Sequence, residues 1–495
     1  MTKKKLREIV ILHSNDIHGN FVGYKDESGR TTGSLAQLAG YVNKVKGEYP
    51  HTLYCIAGDA FQGSLIDSDF QGLSTIDILN LVGIDMMSLG NHELDYGISH
   101  MMFVSRYADF PILNANFRVK KNDRTLFKPG ESYTFGRFRV LFIGLLTKNI
   151  ADQTRAEGLV GTFVTVNDAA EEIRSIVESE KEKGKRPDMT VLLTHIGFED
   201  DIKLAKSLDP SLGVKVIIGG HSHTYLDEPA VVNDILIVQA GEGNTHVGEL
   251  HLFVDPSAGA ANNNIEKWEW KLVPIDEDHC PEDRFVKAMV NTYQMDIDEK
   301  YGTIVTRLKR DLDNYGRGNT TEVGQLFVDA FTDALDVDIM MMASSSTRCY
   351  GMDMTVTLQD LREAYPYDGR IYRVRVNGKQ LRQMISHMLR DEVLDDWKDA
   401  FFHTSRALHI VYTKSTGELE LSFKGQPVAN DQLFDIGLQE FYFINSESVL
   451  DQTNEDLTKI GGLKILSENA FGVLKNYLEE HKGLGGRVDR RIIIK

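Results

Sequence analysis

Five short apolar runs in the first 220 residues each end on an aspartate, asparagine or histidine. Ile9–Leu12 leads into Asn15-Asp16-Ile17-His18-Gly19, and Thr52–Ala57 into Gly58-Asp59. Met86–Leu89 leads into Gly90-Asn91-His92-Glu93-Leu94-Asp95, Thr190–Leu193 into Thr194-His195, and Val214–Ile218 into Gly219-Gly220-His221-Ser222-His223. The runs are rich in Val, Ile and Leu and mostly do not alternate, the pattern of strands covered on both faces. Amphipathic segments lie between them. Ser34 is placed to cap a helix with Leu35, Leu38, Val42 and Val45 on one face, and Asn167 to start another with Ala170, Ile173, Ile176 and Val177 inward. This alternation predicts α/β layers, in which the carboxyl ends of the strands share one ligand-binding edge. Side chains more than 200 residues apart can then converge.

The residue types at that edge suit metal ions. Imidazole, carboxylate and amide oxygen favour borderline or harder divalent ions such as Mn, Zn, Fe and Co. Asp16, His18, Asp59, Asn91, His195, His221 and His223 are too many ligands for one ion. A carboxylate can bridge, so Asp59 can serve two ions ~3.5–4 Å apart. Two divalent ions outweigh the charges of Asp16 and Asp59, leaving a cationic centre matched to a phosphate dianion. A single His-x-His or Gly-Asp is an ordinary turn or packing feature; recurrence at five strand ends is what points to a dimetal site. His13, His51, His100, His251, His409 and His481 lack that context and are expected in packing or surface roles.

Composition narrows the partners. The 495-residue chain carries a formal charge of −18, which opposes a nucleic-acid polymer lying along the surface but not a small phosphate ester that can be enclosed. Cys55, Cys280 and Cys349 are odd in number and scattered, against a disulfide framework and in favour of a reducing compartment. Met1–Arg7 is basic, but Ile9–Leu12 is shorter than the apolar core of a secretory signal, and no run approaches the ~20 apolar residues of a membrane span. A cytoplasmic protein with no membrane partner is expected. Gly248–Val254 and Ile265–Val273 read as added antiparallel strands, and Asp255–Asn264 as a loop. Pro281–Lys300 reads as a charged connecting helix. From Gly302 a second α/β unit follows, with helices at Thr320–Leu335 and Lys379–Arg390 and strands at Asp338–Met342 and Tyr372–Val376. The expected segments are 1–280, 281–301 and 302–495.

The set Asp16-x-His18, Gly58-Asp59, Gly90-Asn-His-Glu93, His195 and Gly220-His-x-His223 resembles the calcineurin-like metallophosphoesterases. Gly58-Asp-Ala-Phe-Gln-Gly63 and Gly90-Asn-His-Glu-Leu-Asp95 are similar to the 5′-nucleotidase and UDP-sugar hydrolase branch. The resemblance implies an N-terminal four-layer α/β/β/α sandwich, a connecting helix and a C-terminal α/β 5′-nucleotidase-type domain that closes over the metals. It implies one metal held by Asp16, His18, Asp59 and His223, and another by Asp59, Asn91, His195 and His221. Position 223 is Gln or Asn in some relatives of this branch, and a histidine there can shift the metal preference. The resemblance also implies a His92–Asp95 dyad at the phosphate. Hydroxide from metal-activated water would attack phosphorus, with His92 as charge stabiliser or general acid and Asp95 holding its ring. The competing role for Asp95 is to cap a helix over Gly97–Tyr107.

In the second half, Gly316-Arg317 ahead of Glu322-x-Gly-Gln-Leu326 resembles the segment with a substrate-binding arginine, and Met342-Ala-Ser-Ser-Ser-Thr-Arg348 the family's Asn-Gly-Gly-Gly-x-Arg loop. Arg317 and Arg348 thus take the substrate-binding roles, suited to bidentate recognition of an anion. Tyr367 and Phe441 stand where aromatics would stack on a base, and Asn91 is counted with the substrate residues as well. Ala343 and Ser344–Ser346 depart from the family loop, and Ile444-Asn-Ser-Glu-Ser448 replaces its Gly-Gly-Asp-Gly. The expected protein is a 5′-nucleotidase holding two divalent ions, Mn or Zn ahead of Fe or Co. The alternatives are a phosphodiesterase or pyrophosphatase acting on 2′,3′-cyclic nucleotides or nucleotide-sugars, and a non-catalytic metal-binding protein.

Overall fold

The apolar runs become two six-stranded sheets in the computed structural model, which describes residues 6–25, 29–148, 164–258, 264–315, 320–394, 401–485 and 488–495. Twelve strands of the first unit concern the site: β1 Arg7–Ser14, β2 Thr52–Ala57, β3 Met86–Ser88, β4 Ile112–Leu113, β5 Gly130–Phe135, β6 Phe138–Leu146, β7 Met189–His195, β8 Val214–Ile218, β9 Ala230–Val232, β10 Ile235–Val238, β11 His246–Val254 and β12 Ile265–Pro274. One sheet runs β12-β11-β1-β2-β3-β4 and the other β9-β10-β8-β7-β6-β5. Strands β1 to β4 are mutually parallel, and β11 and β12 add to them as an antiparallel pair. In the second sheet β6, β7, β8 and β10 are parallel, with antiparallel strands at both edges.

Burial explains the unbroken apolar runs. Ile9, Ile11, Leu53, Cys55 and Met86 of one sheet share a core with Val140, Phe142, Val191, Leu193, Val216 and Ile218 of the other. The outer face of the second sheet (Leu141, Ile143, Leu192, Ile217, Ile237) packs on Ile173, Val177, Leu204 and Ala205 of the helices Ala169–Glu182 and Phe198–Ser207. Helix Leu35–Glu48 lies against β2. Each sheet is therefore covered on both faces, as the four-layer expectation requires.

Capping residues set the helix starts. Ser34 caps Leu35–Glu48 through a full capping box with Gln37, and Leu35, Leu38, Val42 and Val45 are buried. The helix after residue 164 is capped by Asp168 rather than Asn167: Asp168 Oδ1 accepts from the Ala170 and Glu171 N–H groups, while the Asn167 amide is spent on Glu172. The helix expected over Gly97–Tyr107 is an α-helix over Ile98–Val104 followed by a 3₁₀ turn over Ser105–Tyr107.

The chain divides into two compact units at Ile297/Asp298, inside the helix Arg284–Tyr301. The second unit holds a mixed sheet in the order Phe402–Thr404, Ile339–Ala343, Leu433–Gln439, Ile371–Asn377, Lys464–Ser467. Its core joins Ile339, Met341, Val374 and Ile436 to Leu381, Met384 and Ile385 of the helix Gly378–Met388. Among the described residues no helix is long and apolar enough to cross a membrane.

Candidate active site

The five strand ends come from both sheets. β1, β2 and β3 of one lead into Asp16, Asp59 and Asn91; β7 and β8 of the other end at His195 and lead into His221. The edge is thus the shared rim of a sandwich, not one sheet's edge. The chain turns there under strain. Asp16, His18, Asp59, His221 and His223 all have positive φ, between +50° and +81°. That left-handed region costs a residue with a Cβ of order 1 kcal/mol or more and persists where the surroundings impose it. Here they do: the Asp16 N–H donates to Gly58 O (3.1 Å), the His18 N–H to Asp59 O (3.0 Å) and the Gly243 N–H to Asp16 O (2.8 Å). Glycine is required where backbones meet: a Cβ on Gly90 would lie 2.4 Å from Asp59 N, and one on Gly220 2.4 Å from Ala57 O.

Donor atoms of Asp16, His18 and His223 lie within 4.8 Å of one another, as do those of Asp59, His195 and His221, and of His18, Asp59 and His92. Their hydrogen-bond partners define which atoms face inward. His195 Nδ1 donates to Ala57 O (2.8 Å), because a carbonyl can only accept. Its Nε2 faces Asp59 Oδ2 at 2.9 Å and Asn91 Oδ1 at 3.1 Å. His223 Nδ1 meets the Glu242 carboxylate, and its Nε2 faces His18 Nε2 at 3.1 Å and Asp16 Oδ1 at 3.4 Å. The Asp16 carboxylate also accepts from the His221 N–H at 2.9 Å.

His195 Nε2 thus meets a carboxylate while its other nitrogen is already spent as a donor, so positive charge must lie between Nε2 and Asp59. A proton on His195 is one solution: burial opposes it, but the Asp59 carboxylate outweighs burial and drives that imidazole well above its ordinary range, while Asp59 is held ionised. Two divalent cations are the other, and carboxylate, imidazole and amide oxygen are the donors such ions take.

His92 sits beside these donors and has a separate partner. Its Nδ1 is 2.7 Å from Asp95 Oδ2, and this hydrogen bond pushes its pKa up to about 9 against partial burial. The capping alternative for Asp95 fails, since the next helix begins with Gly97 as its cap and no side-chain bond there.

Glu93 is the residue whose role sequence reasoning missed. Fully buried, its two oxygens accept four backbone N–H groups: Gly90 (2.6 Å), Asp59 (3.0 Å), Ala60 (2.8 Å) and Phe61 (3.2 Å). It ties the Asp59 loop to the Asn91 loop. Burial and the nearby Asp59 charge push its pKa up to about 7. Its place inside Gly90-Asn-His-Glu93 was the available signal.

The remaining predicted residues lie in the second unit. Arg348 Nε donates to the Tyr367 hydroxyl at 2.6 Å, so these two form one polar group. Tyr367 is half-buried and Phe441 is 63% exposed, edge-on to Tyr442; neither belongs to the core, which takes Tyr365 instead. Ser345 and Ser346 bond to Tyr442 and Gln439. Arg317 lies outside the described residues. Among the other histidines, His13 stacks on Trp270, His481 on Tyr477, and His251 lies between Glu8 and Glu249.

Two family models match the sequence: calcineurin-like phosphoesterase over residues 9–225, and 5′-nucleotidase C-terminal domain over residues 288–450. The chain belongs to the calcineurin-like phosphoesterases, in the branch that carries a 5′-nucleotidase C-terminal domain. The phosphoesterase is 26% identical over 432 residues to the trifunctional nucleotide phosphoesterase protein of Bacillus subtilis, covering 78% of this chain but only 28% of that protein's length. It is 25% identical over 426 residues to the snake venom 5′-nucleotidase of Gloydius brevicauda, covering 77% and 70%. In fold it resembles a 5′-nucleotidase precursor from Thermus thermophilus, with a TM-score of 0.64, 22% identity and 99% coverage of both chains.

Proposed function

We propose that this phosphoesterase releases phosphate from nucleoside 5′-monophosphates, using two divalent ions, Mn or Zn, held by Asp16, His18, Asp59 and His223 and by Asp59, Asn91, His195 and His221. The observation that carries this reading is the convergence of two donor groups, Asp16–His18–His223 and Asp59–His195–His221, linked by the closeness of Asp59 to His18, with the His92–Asp95 pair beside them. Bound ions in such a set supply Lewis acidity and a hydroxide nucleophile at neutral pH. The chain's own residues do the rest. Glu93 and the interloop hydrogen bonds hold the donors in place before substrate arrives, so little reorganisation remains at the moment of reaction. The Asp95 hydrogen bond favours the protonated His92 ring, and the N–H not spent on Asp95 is available to the phosphoryl oxygens or the leaving oxygen.

In the second unit, Arg348 and Tyr367 are proposed to bind the nucleotide, Phe441 to offer an exposed face to its base, and Arg317 to bind its anionic end. Arg348→Ala is expected to raise KM for a nucleoside monophosphate about 10–100-fold, the worth of a charge-assisted hydrogen bond, with kcat changed far less. Steady-state kinetics on AMP would check this, and an unchanged KM would remove Arg348 from the substrate site. Residence in a reducing compartment, the cytoplasm, fits the three free thiols Cys55, Cys280 and Cys349.

The experiment is a substrate panel with added Mn²⁺ or Zn²⁺: nucleoside 5′-monophosphates, 2′,3′-cyclic nucleotides, UDP-glucose and sugar phosphates. Fastest phosphate release from the monophosphates supports the proposal. Preference for the cyclic nucleotides or the nucleotide-sugar would replace it with a phosphodiesterase or pyrophosphatase, and turnover of none would leave a binding protein.

A further inference from the structure

We infer that Glu242 is a positioning residue for the metal proposed at Asp16, His18 and His223: its carboxylate fixes the His223 ring with Nε2 turned toward that ion. The inference rests on the two-metal reading above. A carboxylate can only accept, so the contact between Glu242 and His223 Nδ1 places the ring proton on Nδ1. In the neutral ring that binds a metal, Nε2 then keeps its lone pair, and it is this atom that faces Asp16 Oδ1 at 3.4 Å and His18 Nε2 at 3.1 Å. An imidazole has two nitrogens to offer and two tautomers to choose from. A partner on one nitrogen settles which atom is the donor, fixes the ring's orientation and raises its basicity.

Glu242 is itself half-exposed, and an exposed ion pair by itself contributes little. What distinguishes this one is the turn that carries it. The Gly241 N–H donates to Thr224 O (3.0 Å), just beyond His223, and the Gly243 N–H to Asp16 O (2.8 Å). Asn15 closes the other side, accepting from the Ala240 N–H (2.8 Å) and donating to Gly241 O (2.6 Å). Gly241 has φ +82° and the Tyr225 ring against it, where a Cβ would stand 2.1 Å from a ring carbon. The turn is therefore locked to Asp16 on one side and to the His223 loop on the other, and Glu242 is delivered to Nδ1 by backbone rather than by a free side chain.

The test compares wild type, Glu242→Ala, Glu242→Gln and His223→Ala, each stripped of metal and titrated with Mn²⁺ against a competing chelator. Wild type is expected to bind two ions. Glu242→Ala should bind one of them about 10–100-fold more weakly and the other as wild type does, and His223→Ala should weaken the same ion. Glu242→Gln still has an oxygen to accept from Nδ1, so it should recover most of the affinity, and its matched size keeps the comparison valid should the alanine variant fold poorly. A second readout is independent of metal: ¹⁵N shifts of the His223 ring should report the Nδ1–H tautomer in the metal-free wild type and a tautomer mixture in Glu242→Ala. Two ions bound with wild-type affinities in Glu242→Ala, or an unchanged ring tautomer, would overturn the role of Glu242. Failure of the wild type to bind a second ion would instead overturn the two-metal reading.

Discussion

Asp59→Ala is expected to remove both metals and essentially all catalysis: elemental analysis should show bound Mn or Zn falling from two ions per chain toward none. Asp59 is central to the site's geometry. Its side chain is almost wholly buried, Oδ2 lies 2.9 Å from His195 Nε2, and Oδ1 accepts the His92 N–H at 2.8 Å. It shares donor groupings with His195 and His221 on one side and with His18 on the other. Removing it takes away the proposed bridge and leaves His195 Nε2 with the Asn91 oxygen at 3.1 Å and the more distant Asp16 Oδ1 at 3.9 Å. The Lewis acidity lost with the ions is worth several kcal/mol of transition-state stabilisation, on the order of 10³-fold or more in rate. Asp59→Asn separates charge from shape, because the amide oxygen can still accept from His92 N–H. It should lose metal nearly as fully as the alanine variant. Retention of two ions with a rate within about tenfold of wild type would contradict the bridging role.

His92→Ala should behave differently. Its ring is assigned to the phosphoryl group and not to the ions, so metal content should stay at the wild-type level while kcat on a nucleotide falls about 10²–10⁴-fold, the range of a lost proton donor. The two variants therefore separate metal binding from proton chemistry. A third substitution gives the sign a test. The Asp95 hydrogen bond is the largest cause of the raised His92 pKa, about 9, and in the proposed reaction the protonated ring is the active form. Activity should fade as pH rises through that pKa. In Asp95→Asn the ring loses its anionic partner, its pKa drops, and the alkaline limb of the kcat profile should move to lower pH. An unchanged alkaline limb in Asp95→Asn would detach the dyad from the reaction, as would an unchanged kcat in His92→Ala.

The parts of this site that were legible in the sequence were those written locally. Thr52–Ala57 and Val214–Ile218 are strands over the residues their apolar runs mark out, because burial on both faces leaves no room for polar alternation. Asp16, Asp59, Asn91 and His195 could be grouped because strand ends share an edge. What could not be read was how two sheets divide that edge, since either arrangement buries the same runs. Nor were the left-handed conformations of Asp16, His18 and His223 visible: they are imposed by hydrogen bonds from loops far away in the chain, such as Gly243 to Asp16. Glu93 carried a signal through its motif, but its role depends on four N–H groups that converge only once β2 and β3 lie side by side. Glu242 carried none, because its partner lies in another loop and the turn that aims it owes its shape to contacts with Thr224 and Asp16. In the helix after residue 164, Asn167 and Asp168 are both good caps, and only the contact with Glu172 decides between them.

Two ions in one site are proposed to support hydrolysis of a phosphate monoester. Titrating the metal-free chain with Mn²⁺ while measuring inorganic phosphate released from AMP tests this. Activity should stay near background without metal and rise to a plateau only as the second equivalent per chain is bound. A plateau reached at one equivalent, or no phosphate released with both sites filled, would contradict it.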